Sequence, residues 1–345
     1  MPRSTLLLIG ALIVAVAFFA IVPPAQHIDP EVEESVHPEL RPFLAQIRLI
    51  RRSDSVNAQY IPKARGAKVP EPLPEPKVVA ARIPAARGRP SVAVYLINSD
   101  PRHKRPVIID FHGGGFMWGS AAASLPQLQE LSRELDCVIV AVDYRLAPEH
   151  PFPGPVDDAY AALEWVHGQA SKIGVDRARI AIMGRSAGGG LAAMLAIRAR
   201  DAAKIPLVLQ ALIYPMLDDR TGSTRPAAPR QGTLVWGPGD NRFGWTSFLG
   251  RPPGGDQAPY GAVPARAADL RGVAPAFIGV GTIDLFHDED AAYATRLRQS
   301  GVPVEFVAVP GAYHAFDEAR GTKVADDFHA ALVAALKQGF AAPRP

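Results

Sequence analysis

Ser186 stands at the centre of Gly184-Arg185-Ser186-Ala187-Gly188, between the apolar run Ile180–Met183 and an alanine-rich run beginning near Gly189. That order predicts a strand turning sharply into a helix with the serine at the apex. Glycines on either side let strand and helix cross closely while the hydroxyl stays accessible. Such a hydroxyl could attack an electrophilic carbon, but it is a weak nucleophile until a base takes its proton, and the base needs an orienting partner. The same turn is equally a structural Gly/Ser corner, so those partners must be found elsewhere. Asp284 follows the apolar run Ala276–Val280 and His314 follows Val304–Val309, each just past a predicted strand. An imidazole held by a carboxylate can accept the serine proton and later return it to a leaving group, which is acyl-transfer chemistry. Asp284 could instead cap the segment after it, and Asp288 and Asp290 compete for its role. Of the nine histidines only His314 and His329 lie beyond the last predicted strand. His329 falls inside the closing helix, and His150 is read as structural.

Attack on a carbonyl also needs backbone N–H groups converging where negative charge develops. Phe111-His112-Gly113-Gly114-Gly115-Phe116 runs directly out of a strand, and three consecutive glycines let the backbone turn its donors toward a ligand. The amides of Gly113, Gly114 and Ala187 are the expected oxyanion donors. A phosphate loop is the weaker reading, because neither the lysine of a P-loop nor a dinucleotide spacing is present.

These residues need a scaffold of alternating strands and helices, and the chain supplies one. Val78–Ile83 and Val92–Ile97 predict an antiparallel pair. Val107–Phe111, Cys137–Val142, Ile180–Met183, Leu207–Ile213, Ala276–Val280 and Val304–Val309 predict six more strands. Helical stretches at Leu125–Leu135, Asp157–Gln169, Gly189–Ala199, Asp290–Ser300 and Lys323–Gln338 lie between or after them. Apolar strands separated by helices imply a mostly parallel sheet covered on both faces. The Gly/Pro-rich interval Pro215–Pro275, with Trp236, Trp245 and Phe248, breaks the rhythm and is expected to lie over the sheet's C-terminal edge like a lid. His27–Arg52 has apolar residues at helical spacing and reads as an amphipathic helix; Pro62–Pro76 reads as an extended connection.

Thr5–Val22 is uncharged and almost wholly apolar. Eighteen helical residues span about 27 Å, close to the hydrocarbon core of a bilayer. The segment is either an uncleaved anchor or a signal peptide, with small residues at Ala15-Val16-Ala17 for cleavage. Arg3 before it and acidic residues at 29, 31, 33 and 34 after it orient the bulk of the chain outside the cytoplasm, membrane-anchored or, after cleavage, secreted or periplasmic. The chain therefore divides into residues 1–25, a cap helix and connection at 26–75, and a main domain at 76–345 with a cap insertion about 215–260.

Composition narrows the partners. Of 345 residues 48% are hydrophobic and 21% charged, an ordinary globular balance, and a net charge of +3, scattered along the chain, argues against nucleic acid. The single Cys137 permits no intrachain disulfide and reads as a buried strand residue, and no Cys/His spacing suggests a metal. No cofactor is expected; homodimer formation is left open.

The chain resembles the hormone-sensitive-lipase family of α/β-hydrolases over about residues 76–340. The likeness rests on His112–Phe116, Tyr144–Pro153 followed by Asp157-Asp158, Gly184–Gly189, Tyr214–Asp219, Asp284 and Tyr313–Phe316. It implies an α/β-hydrolase fold and hydrolysis of a small-molecule carboxylic ester through an acyl-enzyme, with Ser186, Asp284 and His314 occurring in the family's chain order. It also implies a cap of N-terminal helices plus the insertion around Trp236–Gly250, and the Tyr144–Pro153 block is read as a buttress beneath the site. Two departures stand out: Arg185 replaces the family's aspartate, and Leu285-Phe286-His287-Asp288-Glu289 replaces Pro-Leu-Arg-Asp-Glu. An amidase or deacetylase of the same fold is the first alternative. The second is a non-catalytic small-molecule receptor like the gibberellin receptors, which lack the histidine.

Overall fold

The structure is a computed structural model that describes residues 28–45, 56–86 and 88–341. Its centre is an eight-stranded sheet in the order β1-β2-β4-β3-β5-β6-β7-β8. The strands are β1 Val78–Ile83, β2 Val92–Ile97, β3 Arg105–Phe111, β4 Val138–Asp143, β5 Val175–Arg185, β6 Leu209–Ile213, β7 Ala276–Gly281 and β8 Val304–Val309. β1 pairs antiparallel with β2, and β2 antiparallel with β4; every pairing from β4 through β8 is parallel. The inner strands are apolar runs buried along nearly their whole length, as parallel strands covered on both faces must be. The edge strands β1 and β8 carry exposed positions instead.

The helices are α1 Pro30–Ser35, α2 Tyr60–Arg65, α3 Leu125–Leu135, α4 Gly154–Gly168, α5 Ala170–Ile173, α6 Ala187–Ala202, α7 Pro238–Leu249, α8 His287–Gln299 and α9 Lys323–Ala341. One apolar layer joins the sheet to α4, α6, α8 and α7. The other joins it to α3, α9 and residues 28–44. The chain changes direction between β3 and β5: β4 lies beyond β3 on one side, β6 beyond β5 on the other. A crevice at the carboxyl ends of the strands is expected at such a switch point. The glycine loop leaves β3 there, and Ser186 leaves β5.

The predicted strands stand at or within a few residues of their places. β5 begins five residues before Ile180, because its pairing with β3 shifts register between Arg105↔Val175 and Val107↔Ile180. Cys137 is buried immediately before β4. The N-terminal region is corrected in two respects. A single helix over His27–Arg52 does not form among the described residues: α1 ends at Ser35 and a 3₁₀ turn, Pro38–Phe43, follows. His37 is extended (ψ 132°) because Pro38 disfavours a helical conformation in the residue before it. The Pro62–Pro76 connection is not extended throughout either, since α2 takes up Pro62 in its first turn, where a missing N–H costs nothing. Apolar residues of 28–44 pack with α3 and α9, and the His37 amide donates to Gly311 O (2.8 Å). Among the described N-terminal residues Val56 and Glu31 reach the insertion: the Val56 amide donates to Asp240 Oδ1 (2.5 Å), and Glu31 lies 3.7 Å from the Arg230 guanidinium.

The apolar segment Thr5–Val22 lies outside the described residues. Among the described residues no helix is long and apolar enough to cross a membrane.

Candidate active site

β5 and α6 meet at Ser186. A Cβ at Gly184 would stand 2.2 Å from Gly188 O, and one at Gly188 would stand 2.0 Å from Phe111 O, so strand, helix and glycine loop approach as closely as bare backbone allows. Ser186 has φ 55° and ψ −123°, a conformation that a non-glycine residue adopts only when its surroundings enforce it. The enforcement is visible: Ser186 N donates to Ile213 O (2.9 Å), and Ser186 O accepts from Gly190 N and Met216 N (both 3.0 Å).

His314 arrives on the turn after β8. That turn is stitched to the one after β7: Ile283 N donates to Ala312 O (3.2 Å), and Gly311 N donates to Thr282 Oγ1 (2.9 Å). His314 Nδ1 lies 2.8 Å from Asp284 Oδ2, and its Nε2 lies 3.0 Å from Ser186 Oγ. A carboxylate can only accept, so Nδ1 carries the proton and Nε2 is free to take the serine's. All three side chains are nearly buried, at 7%, 1% and 6% exposed for Ser186, Asp284 and His314, so little water screens the relay. Asp284 also does what its alternative reading asked. Its Oδ1 accepts from Phe286 N (3.0 Å) while Oδ2 holds the imidazole, so one carboxylate is both cap and orienter. The two competing aspartates are elsewhere: Asp288 bonds Gln231 and His287, and Asp290 is fully buried with neither oxygen hydrogen-bonded.

The glycine loop runs beside the serine. A Cβ at Gly113 would come within 3.4 Å of Ser186 Cβ. Gly114 has φ +115°, and a Cβ there would lie 2.2 Å from Trp118 O, so only glycine fits. Ala187 begins α6, where backbone N–H groups have no partner within the helix and favour negative charge. The loop is held from beneath by the Tyr144–Pro153 block. Tyr144 stacks on His112 (4.3 Å between centroids) and donates its hydroxyl to His112 O (2.7 Å). Burial lowers the His112 pKa, so the ring is neutral and donates from Nδ1 to Gly113 O (2.7 Å). Above the loop, Trp236 of the insertion closes on Gly115 and on Trp118 (5.7 Å), which Tyr60 meets edge-on from α2 (5.2 Å).

The chain matches the family model of the alpha/beta hydrolase fold over residues 108–318. It belongs to this family. The hydrolase is 36% identical to esterase LipI of Mycobacterium tuberculosis over 237 residues, covering 67% of this chain and 72% of LipI. It is 37% identical to carboxylesterase NlhH of the same organism over 220 residues, 62% of this chain and 67% of NlhH. Among solved structures, a bacterial heroin esterase superposes with a TM-score of 0.79 at 33% identity, covering 90% of this chain and 99% of that one. The likeness to hormone-sensitive-lipase-type esterases is thereby borne out.

Sequence reasoning named Ser186, Asp284, His314, Gly113, Gly114 and Ala187, and the structure gathers all six at one end of the sheet. It missed the rings that frame His314. Tyr214 meets the imidazole edge-to-face at 4.7 Å and Phe286 at 5.3 Å. Tyr214 lay inside a block carrying the family resemblance, but nothing in its spacing tied it to a histidine a hundred residues on.

Proposed function

We propose that this hydrolase is a serine carboxylic-ester hydrolase for small, fairly apolar acyl esters. The reading is carried by one observation: His314 bridges Asp284 and Ser186 at 2.8 and 3.0 Å. Ser186 Oγ attacks the ester carbonyl as its proton passes to His314 Nε2, while Asp284 holds the tautomer and stabilises the imidazolium. The tetrahedral oxyanion is met by the amides of Gly113, Gly114 and Ala187. His314 then protonates the departing alkoxide, leaving an acyl-Ser186. Water repeats the sequence in reverse, with His314 as its base, to release the acid and the free serine. A receptor role would have no need of this hydrogen-bonded relay.

The experiment is hydrolysis of p-nitrophenyl esters of graded acyl length, with matched anilides alongside. Short esters are expected to turn over well and anilides poorly, and Ser186→Ala is expected to lose at least about 10⁴-fold in kcat. Full activity in that variant would refute the assignment, and preference for the anilides would make the protein an amidase. The proposal extends to location: the apolar Thr5–Val22, with Arg3 before it and acidic residues after, supports export of the catalytic domain, anchored or released. Cell fractionation with N-terminal sequencing of the mature protein decides between these, and a full-length cytoplasmic product would contradict both.

A further inference from the structure

Arg185 stands where the resembling family has aspartate, and its guanidinium is engaged. Nε lies 3.1 Å from Asp317 Oδ2. The other oxygen of that carboxylate accepts from the Tyr214 hydroxyl at 2.6 Å, and the Tyr214 ring is the one that meets His314 edge-to-face. On the sheet side, Asp110 of β3 is paired in register with Met183, two residues before Arg185, so it is a diagonal neighbour on the same face. The groups facing the guanidinium are therefore Asp110 from β3, Tyr214 after β6, and Asp317 and Glu318 in the turn after His314. Burial opposes its charge, and Asp317 foremost among these neighbours holds it protonated. Arg320, next along that turn, is taken by Glu130. Around the imidazole stand Ser186, Asp284, Tyr214 and Phe286. An aspartate at 185 would put a third carboxylate between Asp110 and Asp317, so the arginine and its neighbours form a matched set.

We propose that Arg185 is a positioning residue of the hydrolytic reaction: through Asp317 and the Tyr214 hydroxyl it ties the strand carrying Ser186 to the ring against which His314 rests. The inference rests on the Ser-His-Asp reading above. β5 and the turn after β8 are separated in the sheet by β6 and β7. The Arg185–Asp317 pair spans that gap directly, while Tyr214, leaving β6 between them, presents its ring to the imidazole. Paired, the two charges cancel beside a histidine that must become a cation during turnover. Unpaired, either one would bias that step electrostatically, and in opposite directions.

The test measures kcat, KM and thermal midpoint from pH 5 to 9 on p-nitrophenyl butyrate for Asp317→Asn, Arg185→Met, their double variant and Arg185→Lys. Each single charge-removing variant is expected to lose about 10-fold in kcat with KM little changed, as a loosened relay would. Asp317→Asn removes the foremost counter-charge of the cation and is expected to move the acid limb of kcat/KM to lower pH by about half a unit; Arg185→Met leaves the anion and moves it upward. The double variant returns the limb to its original position without restoring kcat. Arg185→Lys keeps the limb in place with kcat between wild type and Arg185→Met. Limbs that stay put or move in the same direction, or variants that lose only thermal stability, overturn the proposal. Should the charge variants fail to fold, Tyr214→Phe decides, since it keeps both charges and the ring and removes one hydrogen bond. A several-fold lower kcat at an unchanged midpoint supports the proposal, and an unchanged kcat overturns it. Ser186→Ala run in parallel separates the two readings: turnover surviving there defeats the triad itself, whereas a dead Ser186→Ala beside unaffected Arg185 variants defeats only this inference.

Discussion

The two halves of the site are built from different material. The half that leaves β3 and β5 is mainly backbone: glycines at 113, 114, 184 and 188 that admit no Cβ without crowding, and a serine held at positive φ by bonds to its own amide and carbonyl. The half that leaves β7 and β8 is side chains held by side chains and turns, with a carboxylate dividing its two oxygens between a cap and an imidazole. On the proposed mechanism the first half holds negative charge with dipoles that cannot titrate, whereas the second moves a proton and must titrate. Damage to the glycine backbone of the first should therefore lower the rate at every pH alike, and damage to the second should change the pH dependence as well.

The largest effect that tests this contrast is expected in the second half. Asp284→Asn leaves a side chain of the same size but removes the acceptor that fixes the His314 tautomer, and a loss of roughly 10⁴-fold in kcat at neutral pH is expected. A pH–rate profile of unaltered shape in that variant would break the comparison. Next comes the first half: Gly114→Ala forces a Cβ toward Trp118 O at a φ of +115°. The displaced amide should cost about 10²- to 10³-fold in kcat, with the profile keeping its shape. A displaced acid limb there would show that the backbone half is coupled to the proton relay.

The smallest effect concerns Asp110, a buried carboxyl on β3 in the backbone half. Burial pushes the Asp110 carboxyl up to about 7, against the lowering pull of Arg185. A carboxyl raised in the folded state contributes stability that is full below the unfolded value near 4 and is lost as pH rises through about 7. Asp110→Asn removes that loss, so its stability relative to wild type should rise by on the order of 2–3 kcal/mol between pH 5 and pH 8. Denaturant titration at the two pH values measures it. A flat difference would place the carboxyl's titration outside that range.

The legible parts of the site were those whose residue type is dictated by local geometry. Gly-x-Ser-x-Gly and His-Gly-Gly-Gly announce backbone that only glycine can form, and their neighbours along the chain are their neighbours in space. Asp284 was only half legible: its position after a strand suited a cap and a triad member equally, and the structure has it serve as both. The helix expected over His27–Arg52 was not legible as broken, because its apolar spacing runs on across Val36 and His37 while Pro38 holds His37 out of a helical conformation. Trp236 stands in an aromatic interval of the sequence, but its position over Gly115 depends on where the insertion folds back.

From its own order of residues the chain determined the strand–helix alternation, the elbow, the glycine loop after β3 and the sequence of serine, aspartate and histidine. Each of these follows from local sterics or from hydrophobic periodicity. Only the tertiary structure decided that Arg185 meets Asp317, that Tyr214 and Phe286 frame the imidazole, and that Asp288 and Asp290 stay clear of it. Those contacts join residues dozens to more than a hundred positions apart. Which of many compatible side chains meet across such distances is set by sheet order and packing, which no local pattern encodes.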